Sequence, residues 1–531
     1  MKLIRIHIIS AKTCGGLLDG FDRVLRFDTE FDDFAPLCLI GPNGSGKSQL
    51  MQLLAEIFQS VFHELVPDEE QDEANANNQF EIEYMIRPGS SRTPVHVKLN
   101  RQIVGKRKTP TLKIQLKETS GWVDCDLSEQ STIDLLPTKV VGYTSGENET
   151  LSLPFLISRG AYADKVGRIA LKKETRSQTV PDTRLMFIDY GTNLEVLVAN
   201  LLFGSDEQRD ALLREARVER LHSCRCVIQL NHSAVTSEVK LTDELEEYID
   251  KLQLCATTHH YIAKTKTFIF DFWINDATRT AFQTHWPSAF DLYSAFHKLA
   301  MLDDLAIKRT TRRHVRKQAK ERRFAARLPE PSDQDKVFRF ERVKFISRID
   351  GSPVDYVSLS DGEHQLCQLL GVLMMQDSRG TLFLLDEPES HFNPAWRVKC
   401  VSMFMGLPTN KGKRSDRGSE AAEQDCLLTT HAPFIPSDLP RNRVLIFKKE
   451  EGKAEIRHPN IETYGTTFDA IIEECFGVIP PISKMSFDEI EALKKSTSVE
   501  ELKAAIKRLG HSVEKALLME KLLQLQEKAK S

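Results

Sequence analysis

The chain has 531 residues, 41% of them hydrophobic and 28% charged, with a formal net charge of −4. That is an ordinary soluble profile, with core enough for roughly two to four domain-sized units. It excludes a polycation, so any nucleic-acid contact must come from a local patch. No stretch approaches ~18 uninterrupted apolar residues, so neither a membrane span nor a membrane partner is expected. The ten scattered cysteines fit reduced thiols in cytosol.

Residues 1–10 alternate like a strand and hold no long apolar run, so no signal peptide is expected. Leu37–Ile40 is a short apolar strand ending at Gly41, followed by a helix from Ser48 to Phe62 with Leu50, Leu53, Leu54, Ile57 and Phe58 on one face. The acidic, Asn-rich segment 66–79 reads as a surface loop. Phe80–Ile86, Val95–Leu99, Leu112–Leu116 and Trp122–Asp126 alternate between turn signals, as an antiparallel meander does. Leu185–Asp189 reads as a strand and Asn193–Phe203 as a helix. Farther on, helical patterns at 207–220, 242–254 and 288–305 mix with strand-like ones at 224–230 and 267–274. His222, Cys224 and Cys226 cluster, but His259-His260 makes a poor second ligand pair for zinc, and the segment reads as a strand.

A basic run covers 308–327, with Arg309, Arg312, Arg313, Arg316, Lys317, Lys320 and Arg323 among its cations and Glu321 opposing. At helical spacing most of these share a broad face able to neutralise phosphates. The alternative is a solvated charged segment. Aromatic residues are nearly absent, so backbone contact fits better than base stacking. Val337–Ile346 is a strand, 364–376 a helix and 381–385 an apolar strand. After an insertion at 409–424, Cys426–Thr430 and Val444–Lys448 read as strands. From Ser486 the chain is helical, with N-caps at Ser486, Ser498 and Ser512. The apolar faces of these last helices suit docking on the main body or holding a protein partner.

Gly41-Pro42-Asn43-Gly44-Ser45-Gly46-Lys47-Ser48 matches the P-loop pattern in full, with a strand before it and a helix after it. Its glycines let backbone N–H groups face phosphate. Lys47 supplies charge to the β- and γ-oxygens, and Ser48 offers a hard oxygen to Mg²⁺. Leu382–Leu385 runs into Asp386-Glu387. The first carboxylate suits water-mediated Mg²⁺ binding, and the second suits polarising an attacking water. Ser360-Asp361-Gly362-Glu363 stands before a helix as an anion site. Since the P-loop serves phosphates in cis, its fitting ligand is the γ-phosphate on a second subunit. His431, at a strand end, is placed to sense that phosphate by hydrogen bonding.

The series P-loop, Ser360–Glu363, Asp386-Glu387 and His431 resembles the ABC-type ATPase heads, most of all the branch of RecF, SMC-like and OLD-like proteins. Glu387-Pro-Glu-Ser-His-Phe-Asn-Pro394 is similar to that branch's Glu-Pro-Glu-x-His-x-x-Pro string, and Thr429-Thr-His-Ala-Pro-Phe434 to its Thr-His-x-Pro segment. By that resemblance Lys47 and Ser48 bind phosphate and magnesium and Asp386 holds the metal. Glu387 is then the catalytic base and His431 the switch, while Ser360–Glu363 act in trans across a homodimer or higher oligomer. The likeness is confined to about residues 1–60, 137–150 and 355–450. Two features depart from the family. Val140–Glu149 stands where its glutamine-bearing loop would be, and Asp361 replaces the usual second glycine of the signature.

The implied fold is α/β: an ATPase head of mixed sheet plus antiparallel meander, with a mainly helical inserted region and a C-terminal helical tail. The boundaries are 1–203 for the N-terminal half of the head, 204–336 for the insertion with the basic run, 337–485 for the C-terminal half and 486–531 for the tail. SMC-like coiled coils are absent, and residues 432–531 hold no Asp-x-Asp strand end of an OLD-like nuclease. What remains resembles the stand-alone Septu-type ATPase of bacterial anti-phage systems, including its retron-associated form. That likeness implies a cytoplasmic ATPase gating a separate HNH-type nuclease and, in retrons, a reverse transcriptase with its DNA–RNA product. A RecF-like DNA repair ATPase and an ATP-dependent scaffold with little turnover are the alternatives.

Overall fold

The computed structural model describes residues 1–531 except 13–14, 27–30, 73, 90, 92, 106–108, 147–148, 189–192, 232–237, 322–330 and 529–531. It divides into two compact units, Met1–Gly465 and Thr466–Ser531.

The larger unit is organised by a mixed sheet in the order Lys453–Arg457, Val444–Glu450, Leu37–Ile40, Asp425–Thr430, Thr381–Asp386, Lys139–Thr144, Leu185–Ile188. All its neighbours are parallel except the first pair. The central strands are apolar runs without alternation, because both faces are covered. Leu37–Ile40, Thr381–Asp386 and Asp425–Thr430 are buried at every position. The strand Asp425–Thr430 therefore lies between the P-loop strand and the one ending in Asp386. Its first residue is anchored by a buried ion pair with Arg26. Beside it Lys2 donates to the carbonyls of Ala422 and Gln424 at 2.8 and 2.6 Å, and burial pulls its ammonium down to about 7.

The meander forms a second, antiparallel sheet: Phe21–Val24, Lys2–Ser10, Gln79–Ile86, Val95–Gln102, Thr111–Glu118, Gly121–Asp124. Its strands fall where the alternation of the sequence places them, and residues 2–10 join them. One core runs from this sheet through the helix Lys47–Leu65 to the parallel sheet. That position corrects the expectation of a one-sided helix. Gln52, Glu56, Gln59 and Ser60 are buried along with the leucines, because the helix is covered on several sides. The expected surface loop at 66–79 is also partly interior. Glu70 accepts a 2.6 Å bond from Ser158, and burial raises its carboxyl to about 7.

A third antiparallel sheet runs Thr258–Ile262, Thr267–Trp273, Val218–Gln229, Phe338–Ser347, Pro353–Asp355. The helical pattern at 207–220 is cut short by it: the helix covers Asp206–Leu213 and a strand begins at Val218. Cys224 and Cys226 lie two apart on that strand, both buried. The stretch 204–336 also carries helices Asp243–Cys255, Asp276–His285, Ala289–Met301 and Arg309–Glu321. The smaller unit contains helices Phe468–Phe476, Lys484–Lys495, Val499–Arg508 and Val513–Lys528. Its core is Ile490, Leu493, Leu502, Ala505 and Leu518. Ser498 and Ser512 cap their helices at 3.2 and 3.1 Å. Ser486 does not, because its helix already starts at Lys484.

Candidate nucleotide site

The P-loop strand ends at Gly41, whose φ of 146° lies where L side chains are strained; a Cβ there would stand 2.2 Å from the Phe447 carbonyl oxygen. The loop continues through exposed Pro42, Asn43 and Gly44 to buried Ser45, and Gly46 begins the helix in a left-handed turn. The helix's first N–H groups have no carbonyl to reach within it, so they and the helix dipole face whatever the loop encloses. Lys47 is buried and donates to the carbonyls of Gly41 and Pro42 at 2.8 and 3.1 Å. Burial lowers its ammonium to about 8, against the opposing pull of Glu387 and Asp386.

Ser48 Oγ donates to Asp386 Oδ1 at 2.9 Å, across 338 residues of sequence. Thr429 Oγ1 donates to the same Asp386 oxygen at 2.6 Å and accepts the Glu387 amide at 3.0 Å. The chain turns left-handed at Glu387, φ 50°, a conformation that costs a non-glycine residue roughly 1 kcal/mol. Glu387 Oε1 and His431 Nε2 lie 3.0 Å apart, both partly open to solvent. The hydrogen bond from His431 holds the Glu387 carboxyl below its usual range, so it is ionised at neutral pH.

Lys47, Ser48, Asp386, Glu387 and His431 thus form one constellation at neighbouring strand ends. Ser360–Glu363 is placed differently. Ser360 caps the helix Asp361–Met375 in a reciprocal box with Glu363, and Ser360 and Asp361 are exposed. Gly362 packs against the loop after Glu387, where a Cβ would stand 2.7 Å from the His391 carbonyl oxygen. Sequence reasoning missed the link between that helix and the constellation. Gln365 Nε2 donates to the Ser145 carbonyl at 2.6 Å, Ser145 Oγ meets Ser390 Oγ at 2.6 Å, and the Ser145 amide reaches the Asp386 carbonyl at 3.3 Å. Of the segment Val140–Glu149, residues 140–144 lie in the strand Lys139–Thr144 of the parallel sheet, which leads into Ser145. The basic helix stands apart. Arg309 and Arg313 are exposed, but Arg312 is tied to Asp164 and to the Ile307 carbonyl, which removes it from the expected free face. Lys317 is exposed, while Arg323 and the side chains of Arg316 and Lys320 lie outside the described residues.

A family model described as "AAA domain, putative AbiEii toxin, Type IV TA system" matches residues 250–438, a span that takes in Ser360–Glu363, Asp386, Glu387 and His431. That match supports a P-loop ATPase of the AAA/ABC-like class. No curated protein matches its sequence. The class implies nucleotide binding, typically with Mg²⁺, and ATPase activity. The residues fit that group: a hydroxyl and a carboxylate, both hard oxygen donors, meet at the mouth of the phosphate loop. Ser48 would hold the ion directly and Asp386 through water, and bound there it would neutralise charge on the phosphate oxygens. Among the described residues, no helix is long and apolar enough to cross a membrane.

Proposed function

We propose that the chain binds and hydrolyses ATP and that two copies close around nucleotide, each lending Ser360–Glu363 to the triphosphate held by the other. The observation that carries the hydrolytic part is the chain of contacts from Ser48 through Asp386 and Thr429 to Glu387 and His431. In this reading Lys47 and the loop amides bind the phosphates. The ionised Glu387 orients the attacking water and accepts its proton. His431 exchanges its bond to Glu387 for one to the γ-phosphate, which reports the nucleotide state. Trans action is supported by the exposure of Ser360 and Asp361, and by the bonds that tie their helix to Ser145 and thence to Asp386.

The work done by that closure is, in this proposal, control of a separate nuclease in a bacterial anti-phage system of the Septu or retron type. An HNH-type enzyme is the expected partner, with a reverse transcriptase and its DNA–RNA product in the retron form. The likeness of the motif strings supports this, and the matched family's description, which names a putative toxin of a toxin–antitoxin system, is compatible with it. The exposed Arg309 and Arg313 suit a nucleic-acid backbone in such a complex.

The test is light scattering of the E387Q chain with and without Mg·ATP, beside steady-state hydrolysis by the wild type. Doubling of mass with ATP and lost turnover are expected. A variant that hydrolyses at the wild-type rate would remove Glu387 from its role, and a wild type that turns over fully as a dilute monomer would end the two-copy account.

A further inference from the structure

Three residues past Asp386, Glu389 is buried to 3% exposure. One of its carboxyl oxygens accepts the hydroxyl proton of Thr430; the other, also buried, has no hydrogen-bonding partner. Placing an incompletely satisfied carboxyl in the interior is costly, and burial pushes this one up to about 7.

What the carboxyl does hold is the residue before His431. Thr430 Oγ1 also accepts the Ala432 amide at 2.9 Å, so the backbone on both sides of His431 is gathered onto one hydroxyl, and that hydroxyl is gathered onto Glu389. The far side of the same loop is fixed independently. Arg397 donates to the Ser390 and Phe392 carbonyls at 2.5 and 2.8 Å, and the Ser390 amide reaches the Glu387 carbonyl at 3.1 Å. Glu387 and Glu389 therefore grip the end of the Asp425–Thr430 strand at two points, one through His431 and one through Thr430.

We propose that Glu389 is a positioning residue for hydrolysis: through Thr430 it fixes the strand end that carries His431, and so holds His431 against Glu387. This rests on the ATPase reading above. The experiment is Mg·ATP kinetics on the full chain for the wild type, E389A, E389Q, T430V, H431A and the double variant E389A/H431A. T430V keeps the β-branched shape of a strand residue and carries the test if E389A does not fold. E389A and T430V should each lower kcat roughly tenfold or more with KM for ATP unchanged, the scale of a misplaced catalytic group. E389Q, which keeps the accepting oxygen, should recover most of that loss, and E389A should slow H431A no further. Wild-type kcat in both E389A and T430V, a rise in KM alone, an E389Q as slow as E389A, or independent losses in the double variant would each overturn the proposal. A wild type without turnover would overturn the ATPase reading as well, whereas wild-type turnover that ignores these substitutions would overturn this inference alone.

Discussion

The nucleotide end of the parallel sheet and the basic helix Arg309–Glu321 are both dense in charge, and they are held in opposite ways. At the sheet, each of three carboxyls has a partner brought from a distant part of the chain: Ser48 for Asp386, His431 for Glu387, Thr430 for Glu389. The strands that deliver them are buried on both faces, so the groups stand on rigid supports. On the basic helix, Arg312 alone among the arginines with described side chains is tied to another helix, while Arg309 and Arg313 reach into solvent. Charge held by long-range pairing is suited to positioning atoms. Charge left on a solvated face is suited to neutralising a polyanion whose exact register does not matter.

Substitutions can break this contrast. The largest effect is expected at Lys47. K47A should weaken ATP binding by about 100-fold or more, the scale of removing a buried charge aimed at a phosphate, as read by a fluorescent-nucleotide titration. If R309A did as much, the division between the two regions would fail. Next comes E387Q, expected to lower turnover about 100-fold or more while nucleotide binding persists, measured by phosphate release beside the same titration.

A pH series sharpens the comparison. Phosphate binding needs Lys47 charged, and its ammonium sits at about 8 in the free protein. Affinity for ATP should therefore hold below that pH and fall above it, by up to about tenfold per unit. An affinity flat through this range would place the lysine in a wetter setting than its burial implies. The smallest effect is expected at the basic helix. R312A should cost about 1 kcal/mol in chemical unfolding by releasing Asp164, whereas R313A should stay within about 0.5 kcal/mol. R309A/R313A should instead lower affinity for a polyanion such as heparin, with a shallower salt dependence.

Much of this was legible in the sequence, for reasons that differ by region. The P-loop declares itself because its glycines, lysine and serine act within a few residues of one another. The meander is legible because alternation is a local signal. The contacts that complete the site were not, because they join segments far apart. Nothing near Gln365 announces Ser145, and nothing near Thr430 announces Glu389. Helix Lys47–Leu65 was misjudged for a related reason: Gln52, Glu56 and Gln59 look solvent-facing until a second layer covers them. Arg312 was misjudged because composition cannot reveal that Asp164 waits opposite it.

The two threonines that end Asp425–Thr430 point to opposite sides of the sheet, Thr429 toward Asp386 and Thr430 toward Glu389. They act as an alignment key. Adding or deleting a single residue in that strand would present each hydroxyl to the wrong carboxylate and turn the imidazole away from its acid. Length here is as much a part of the machinery as chemistry.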